Sequence, residues 1–134
     1  MKNDFIDSND KIGVIISNLG TPNSTSTTDL RKYLNQFLMD KRVIDLPRII
    51  WVPLLKIIIL NIRPRKSAKL YRAIWTKDGS PLLIFSKSIV KKLSEILDKK
   101  ITVVLGMRYG SPSIEDAMDS LREKKISKIV VLPL

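Results

Sequence analysis

Apolar positions follow two rhythms along this chain. From Lys11 to Asn18 (KIGVIISN) they are branched and nearly continuous, which predicts a strand buried on both faces, as in a parallel sheet. Gly20, Pro22 and the Ser/Thr stretch from Ser24 to Thr28 predict a loop ending in helix-capping residues. Leu30, Tyr33, Leu34, Phe37 and Leu38 then recur at three- and four-residue spacing, one stripe of an amphipathic helix. After a break at Pro47, the run from Ile49 to Ile62 predicts an apolar helix, or a helical pair around Pro53, with Pro64 expected to end it. A further helix starting near Lys66 is expected from Ser67, Leu70, Tyr71, Ile74 and Trp75.

The second half continues the alternation. Asp78-Gly-Ser-Pro81 is a turn leading into a helix, with Ser80 as N-cap and Pro81 as first helical residue. That helix is expected to reach about Asp98, with Leu83, Val90, Leu93 and Leu97 inward. Ile101 to Leu105 is a second buried strand, and Gly106 to Gly110 a loop beyond its tip. Ser111-Pro-Ser113 opens a third capped helix, and Lys128 to Leu134 is a third strand, expected to be central. The order is βαβαβ with a long first crossover, hence an α/β fold with a parallel sheet and flanking helices. Residues 1–10 are polar, carry three acids and read as a tail; residues 11–134 read as the domain. Three strands alone leave apolar edges unpaired, so the front part of a larger protein is expected.

Composition narrows the chemistry. At 44% hydrophobic residues and a mean hydropathy of +0.02, the 134 residues can fill a core and are not a disordered tail. Without cysteine or histidine, the chain offers no disulfide, thiolate or imidazole. The 24 cationic residues outnumber 13 acidic ones, a net charge of +11 that invites nucleic acid, anionic lipid or an anionic small molecule. Lysine supplies 16 of the 24, spread along the chain as on a solvated surface. The N-terminus has neither a secretory h-region nor a transit-peptide pattern, and the Ile49–Ile62 run is shorter than the ~20 residues of a membrane span.

Three motifs carry candidate chemistry. Asn18-Leu-Gly-Thr-Pro22 is either a tight turn or a backbone cradle for a ligand. In Gly106-Met-Arg-Tyr-Gly110, Arg108 and Tyr109 either clamp a flat anion or serve a capped loop with a structural ion pair. Arg63, Arg65 and Lys66, close in sequence to Tyr71 and Trp75, are either an anion attractor or a solvated helix end. No carboxylate pair, nucleophile–base set or metal-ligand spacing is visible.

Seven segments in order, NLGTP (18–22), YLNQFLMDKRVIDLPR (33–48), WVPLL (51–55), KSAKLYRAIW (66–75), GSPLL (79–83), GMRYGSPSIEDA (106–117) and KIVVLPL (128–134), resemble the N-terminal part of a bacterial ferrochelatase of the proteobacterial type. The resemblance implies a Rossmann-like parallel sheet with flanking helices, the first of two chelatase-type domains around a porphyrin cleft, here truncated. It implies insertion of Fe2+ into protoporphyrin IX to form protohaem, with no cofactor bound by these residues and both iron and porphyrin as substrates. It assigns porphyrin contacts to Leu19, Arg63, Tyr71, Ser80, Arg108 and Tyr109. An apolar lip that also faces the membrane is assigned to Phe37, Leu38, Trp51, Leu54 and Leu55. The family bends the porphyrin while a histidine accepts protons; that histidine and a later glutamate belong to motifs absent from these 134 residues, so no catalytic residue and no metal ligand is expected among them. A cytoplasmic, peripherally membrane-associated protein without nucleic-acid partners is implied. A cobaltochelatase-like relative and a basic nucleic-acid-binding α/β module are the alternatives, and neither has its signature motifs here.

Overall fold

The computed structural model describes residues 11–126 and 128–134; the expected tail, residues 1–10, lies outside the described residues. In chain order the elements are β1 (Ile12–Thr21), α1 (Thr27–Met39), α2 (Arg48–Pro53), a π-helix (Leu54–Ile59), α3 (Leu60–Ile74), α4 (Pro81–Ile96), β2 (Ile101–Gly110), α5 (Ile114–Glu123) and β3 (Lys128–Pro133). The fold is α/β, an open parallel sheet of order β2-β1-β3 with flanking helices. β1 pairs with β3 from Ile12↔Lys128 to Ser17↔Pro133. The central strand is therefore β1. β3, expected at the centre, lies at an edge of the described sheet with Val130, Val131 and Leu132 exposed. Being flanked on both sides is what leaves Ile15 and Ile16 of β1 fully buried.

The chain divides into two compact units. Among the described residues, one takes 11–18, 85–108, 112–126 and 128–134; the other takes 19–84 and 109–111. In the first, Ile15, Ala117, Leu121 and Ile126 form a core, with Val104, Met118 and Ile129 alongside. Burying a Leu or Ile side chain contributes about 1.5–3 kcal/mol, so this small cluster is what holds α5 down. α5 starts at a capping box, in which the Asp116 N–H donates to Ser113 Oγ at 3.0 Å and the Ser113 N–H to Asp116 Oδ2 at 2.7 Å. The Ser113 N–H, and then the Ser113 hydroxyl, hold the Asp116 carboxyl below its usual range. α4 ends at Ile96, and its only fully buried residue is Ser86, which accepts a hydrogen bond from Asn18 Nδ2 at 3.1 Å. Leu83, Val90 and Leu93 are only half-buried, and Leu97, expected inward, is exposed beyond the helix end.

In the second unit, Tyr33, Leu34, Leu38, Trp51, Leu55, Leu60 and Tyr109 form the core, and α1 packs on α3. Ser26 caps α1, accepting the Asp29 N–H at 3.1 Å. Here the expectation for Pro64 fails, while the chain does break at Pro47 and change helix type at Pro53. Pro64 does not end a helix: it is buried inside α3, which begins at Leu60 and not near Lys66. A proline cannot donate to the carbonyl four residues back, so its presence orphans the Leu60 oxygen. Arg31 Nε donates to that oxygen at 2.9 Å, and the helix runs on. Pro53 similarly cannot serve the Ile49 carbonyl, and after it the helix widens, so that the Leu60 N–H reaches the Leu55 carbonyl five residues back. Asn61 Nδ2 donates to the Ile57 carbonyl at 2.7 Å. Because α3 starts earlier, its inward ridge is Leu60, Pro64 and Ala68, spaced by four, while Leu70 and Ile74 of the expected stripe are exposed.

The Arg31–Leu60 bond generates a coupled prediction. Arg31→Ala should cost about 1–3 kcal/mol by leaving the carbonyl unpaired. In a Pro64→Ala background the new Ala N–H satisfies the same carbonyl, and the cost of removing Arg31 should fall below ~1 kcal/mol. Urea unfolding of the four proteins of this cycle measures the coupling; additive losses would contradict it.

Candidate functional site

The strands β1 and β2 run further than their apolar cores predict, and their last residues build this region. The motif Leu19-Gly20-Thr21 is the end of β1, not a loop, and Gly106 to Gly110 is the second half of β2, not a loop beyond it. Gly20 has φ +109°, and a Cβ there would sit 1.7 Å from the Tyr109 carbonyl oxygen. Gly110 has φ +84°, and a Cβ there would sit 2.4 Å from the Thr21 carbonyl oxygen. Both glycines are thus required by the neighbouring backbone. The first motif needs no ligand to explain its glycine.

Around these strand ends stands a row of aromatic rings. Trp75 meets Tyr71 at 6.2 Å between centroids, and Tyr71 meets Tyr33 edge-on at 6.4 Å. Tyr33 lies parallel to Phe37 at 6.2 Å, and Phe37 meets Tyr109 edge-on at 5.1 Å. Polar bonds fix the row. Tyr33 OH donates to the Gly20 carbonyl at 3.4 Å, Tyr109 OH to Asp40 Oδ2 at 3.0 Å, and the Gly110 N–H to Gln36 Oε1 at 2.9 Å. Thr21 Oγ1 donates to Ser80 Oγ at 2.9 Å, both side chains buried. Burial, and then the neighbouring Tyr71, push the Tyr33 phenol well above the ordinary tyrosine range.

Four of the six residues assigned to the porphyrin thus gather at the strand ends. Leu19 is 53% exposed, Tyr71 is half-buried, and Ser80 and Tyr109 are buried. Arg63 is exposed on α3, eight residues before Tyr71 and so about 12 Å from it along the helix axis. Arg108 is exposed on β2 and belongs to the first unit, whereas Tyr109 belongs to the second. Of the five lip residues, Leu54 is exposed and Phe37 partly buried, but Leu38, Trp51 and Leu55 are core. Trp51 is tied there by its Nε1–H, which donates to the Leu38 carbonyl at 2.8 Å. Ile49, Ile50, Ile57, Ile58 and Ile62 are, with Leu54, the exposed apolar residues of this segment, and after Pro53 the π-helix shifts the phase that sequence spacing would assign.

Sequence reasoning also left Tyr33, Gln36 and Thr21 out of the site. Tyr33 was legible only as a member of the α1 stripe; the Thr21–Ser80 pair, 59 positions apart, has no local signal. A cavity of about 170 Å3 beside Tyr33, lined also by Asn23, Lys32 and Gln36, is smaller than the ~300 Å3 at which drug-sized ligand pockets begin. Among the described residues no three carboxylates gather as metal ligands.

A family model for ferrochelatase matches residues 11–134. The chain belongs to the ferrochelatase family. A ferrochelatase of Marinomonas sp. is 46% identical over 91% of this chain, and one of Actinobacillus pleuropneumoniae is 50% identical over 92%. A Coxiella burnetii ferrochelatase is 46% identical over 96% of it. The aligned regions are 38%, 40% and 36% of those ferrochelatases' own lengths, so the chain spans less than half of the relatives it matches. Membership explains why all seven motifs occur in order, including those now seen to be structural.

The raised Tyr33 phenol sets a pH dependence. Above the ordinary tyrosine value of about 10, the unfolded chain loses this proton while the folded chain keeps it. The unfolded state then binds fewer protons, so stability falls as pH rises through that range. Tyr33→Phe should remove this part of the alkaline loss, leaving a shallower decline in urea midpoint between pH 9 and 11 (roughly one unit either side of that value). An unchanged decline would show that Tyr33 is not the group responsible.

Proposed function

We propose that this chain supplies one wall of the porphyrin site of a ferrochelatase, a lyase that inserts Fe2+ into protoporphyrin IX to give protohaem in haem biosynthesis. The observation that carries the reading is that Tyr109, Tyr71 and Ser80 are linked to the Leu19-Gly-Thr21 strand end through Gly20, Tyr33 and Thr21, in a chain of this family with Arg63 on the same helix as Tyr71. A flat, apolar dianion suits such a surface. Leu19 covers the macrocycle, and the Arg63 guanidinium and Tyr71 hydroxyl receive propionate carboxylates. Ser80 and Tyr109 are fixed by their bonds to Thr21 and Asp40.

The proton acceptor and the iron ligands belong to residues other than these 134, which contain no imidazole or thiolate. No helix among the described residues is long and apolar enough to cross a membrane. The exposed Ile49, Ile50, Leu54, Ile57 and Ile58, with Arg48 and Lys56 among them, suit peripheral contact with a bilayer, where porphyrin partitions. In this reading the protein works in the cytoplasm at the membrane surface.

Two measurements test the proposal. Arg63→Ala should weaken porphyrin binding by roughly one to two orders of magnitude, as expected for the loss of a charge-assisted bond worth about 1.5–3 kcal/mol. Arg63→Lys should recover only part, because a point charge replaces a planar fork. Lys99→Ala serves as the control and should change nothing. Quenching of porphyrin fluorescence at fixed ionic strength reads all three, and equal losses at Arg63 and Lys99 would mean that diffuse charge holds the ligand. Separately, the 134-residue chain given iron and protoporphyrin should form metalloporphyrin no faster than the uncatalysed control. Turnover would relocate the proton acceptor to this chain.

A further inference from the structure

Between α1 and the π-helix the second unit carries an open groove of about 380 Å3 that the porphyrin reading does not use. Arg31, Lys32 and Asn35 line it from α1, Lys56 from the π-helix, and Leu60 and Asn61 from the start of α3. Three of these six are cations and none is a carboxylate. Like charges around one opening repel one another, and an anion with several oxygens relieves that repulsion.

The groove is also built. The orphaned Leu60 carbonyl takes Arg31 Nε at 2.9 Å, which holds the guanidinium in place and leaves its two terminal amino groups for a ligand. Asn61 spends its side-chain amide N–H groups on the Ile57 carbonyl at 2.7 Å and the Lys56 carbonyl at 3.4 Å, so the donors left for a ligand are Arg31, Lys32, Lys56 and Asn35. The nearest acid in sequence, Asp29, accepts Ser24 Oγ–H at 2.6 Å and lines the other cavity, which Lys32 also borders. Ile57 and Ile58, next after Lys56, are exposed, and Leu60 supplies an apolar lining.

We propose that this groove is a phosphate-binding site, with Arg31 as the oriented fork and Lys32 and Lys56 as flanking point charges. The phosphate comes either free in solution or as the headgroup of a phospholipid whose chains meet the exposed isoleucines. The proposal is independent of the porphyrin reading.

Calorimetric titration of the 134-residue chain at fixed ionic strength tests it, with inorganic phosphate in one arm and dihexanoyl phosphatidic acid below its micelle concentration in the other. Lys32→Glu with Lys56→Glu should weaken both ligands at least tenfold (about 1.4 kcal/mol). Lys91→Glu with Lys92→Glu, the same charge change on α4, should weaken them less than twofold (about 0.4 kcal/mol). Arg31→Lys should give an intermediate loss, and circular dichroism checks that each variant is folded. If a charge-reversed pair does not fold, Lys56→Gln alone should still weaken both ligands by more than Lys91→Gln does. Lipid binding at least tenfold tighter than phosphate names the headgroup, and comparable affinities name free phosphate; either supports the site. Equal losses in the two double variants, absence of saturable binding, or displacement of phosphate by protoporphyrin would overturn it.

Discussion

At Gly20 and Gly110 two backbones come so close that neither position has room for a Cβ. The rest of the candidate site depends on that approach. It puts the Gly20 carbonyl where Tyr33 OH can donate and the Gly110 N–H where Gln36 can accept. It sets Thr21 against Ser80 and leaves Leu19, two residues before Thr21, exposed. A side chain at either glycine would have to move a strand backbone, because the obstructing atom is a carbonyl oxygen and not a flexible side-chain end. Residues expected to touch a ligand therefore divide into those that face solvent and those that brace the wall.

The helical segment between Pro47 and Trp75 solves a second problem. Two prolines each remove a hydrogen bond from a helix that nevertheless continues. The solutions differ. At Pro53 the helix changes its own register, and at Pro64 a side chain from α1 replaces the missing donor. Both have consequences at the surface. The register change sends Ile57 and Ile58 outward while Leu55 becomes core, and the replacement fixes Arg31 at the edge of a cationic groove. A local backbone defect has thus shaped an apolar face and a basic one.

How much was legible follows from the range of each interaction. The α/β class, the starts of the three strands, the α1 stripe and the Ser113 cap are local patterns of period or spacing, and they appear where expected. The resemblance named the family from motif order alone, and the family model agrees over residues 11–134. Proline was misread because its helix-breaking tendency is a local rule, and here a residue 33 positions before Pro64 overrides it. The motif glycines were open between ligand and structure because sequence does not reveal what lies against a missing Cβ.

By itself, then, the chain's order of residues determined the class of fold, the family, the positive charge and the absence of imidazole and thiolate chemistry. These depend on composition, on periodicity and on motifs read in line. Only the tertiary structure decided which strand is central, that Pro64 sits within a helix, and that Leu38, Trp51 and Leu55 are core while Leu54 is surface. It alone joined Thr21 to Ser80, Tyr109 to Asp40 and Arg31 to Leu60. The physical reason is common to all of them: each outcome depends on a partner contributed by a distant part of the chain, and no local pattern records which carbonyl, hydroxyl or ring will be waiting there.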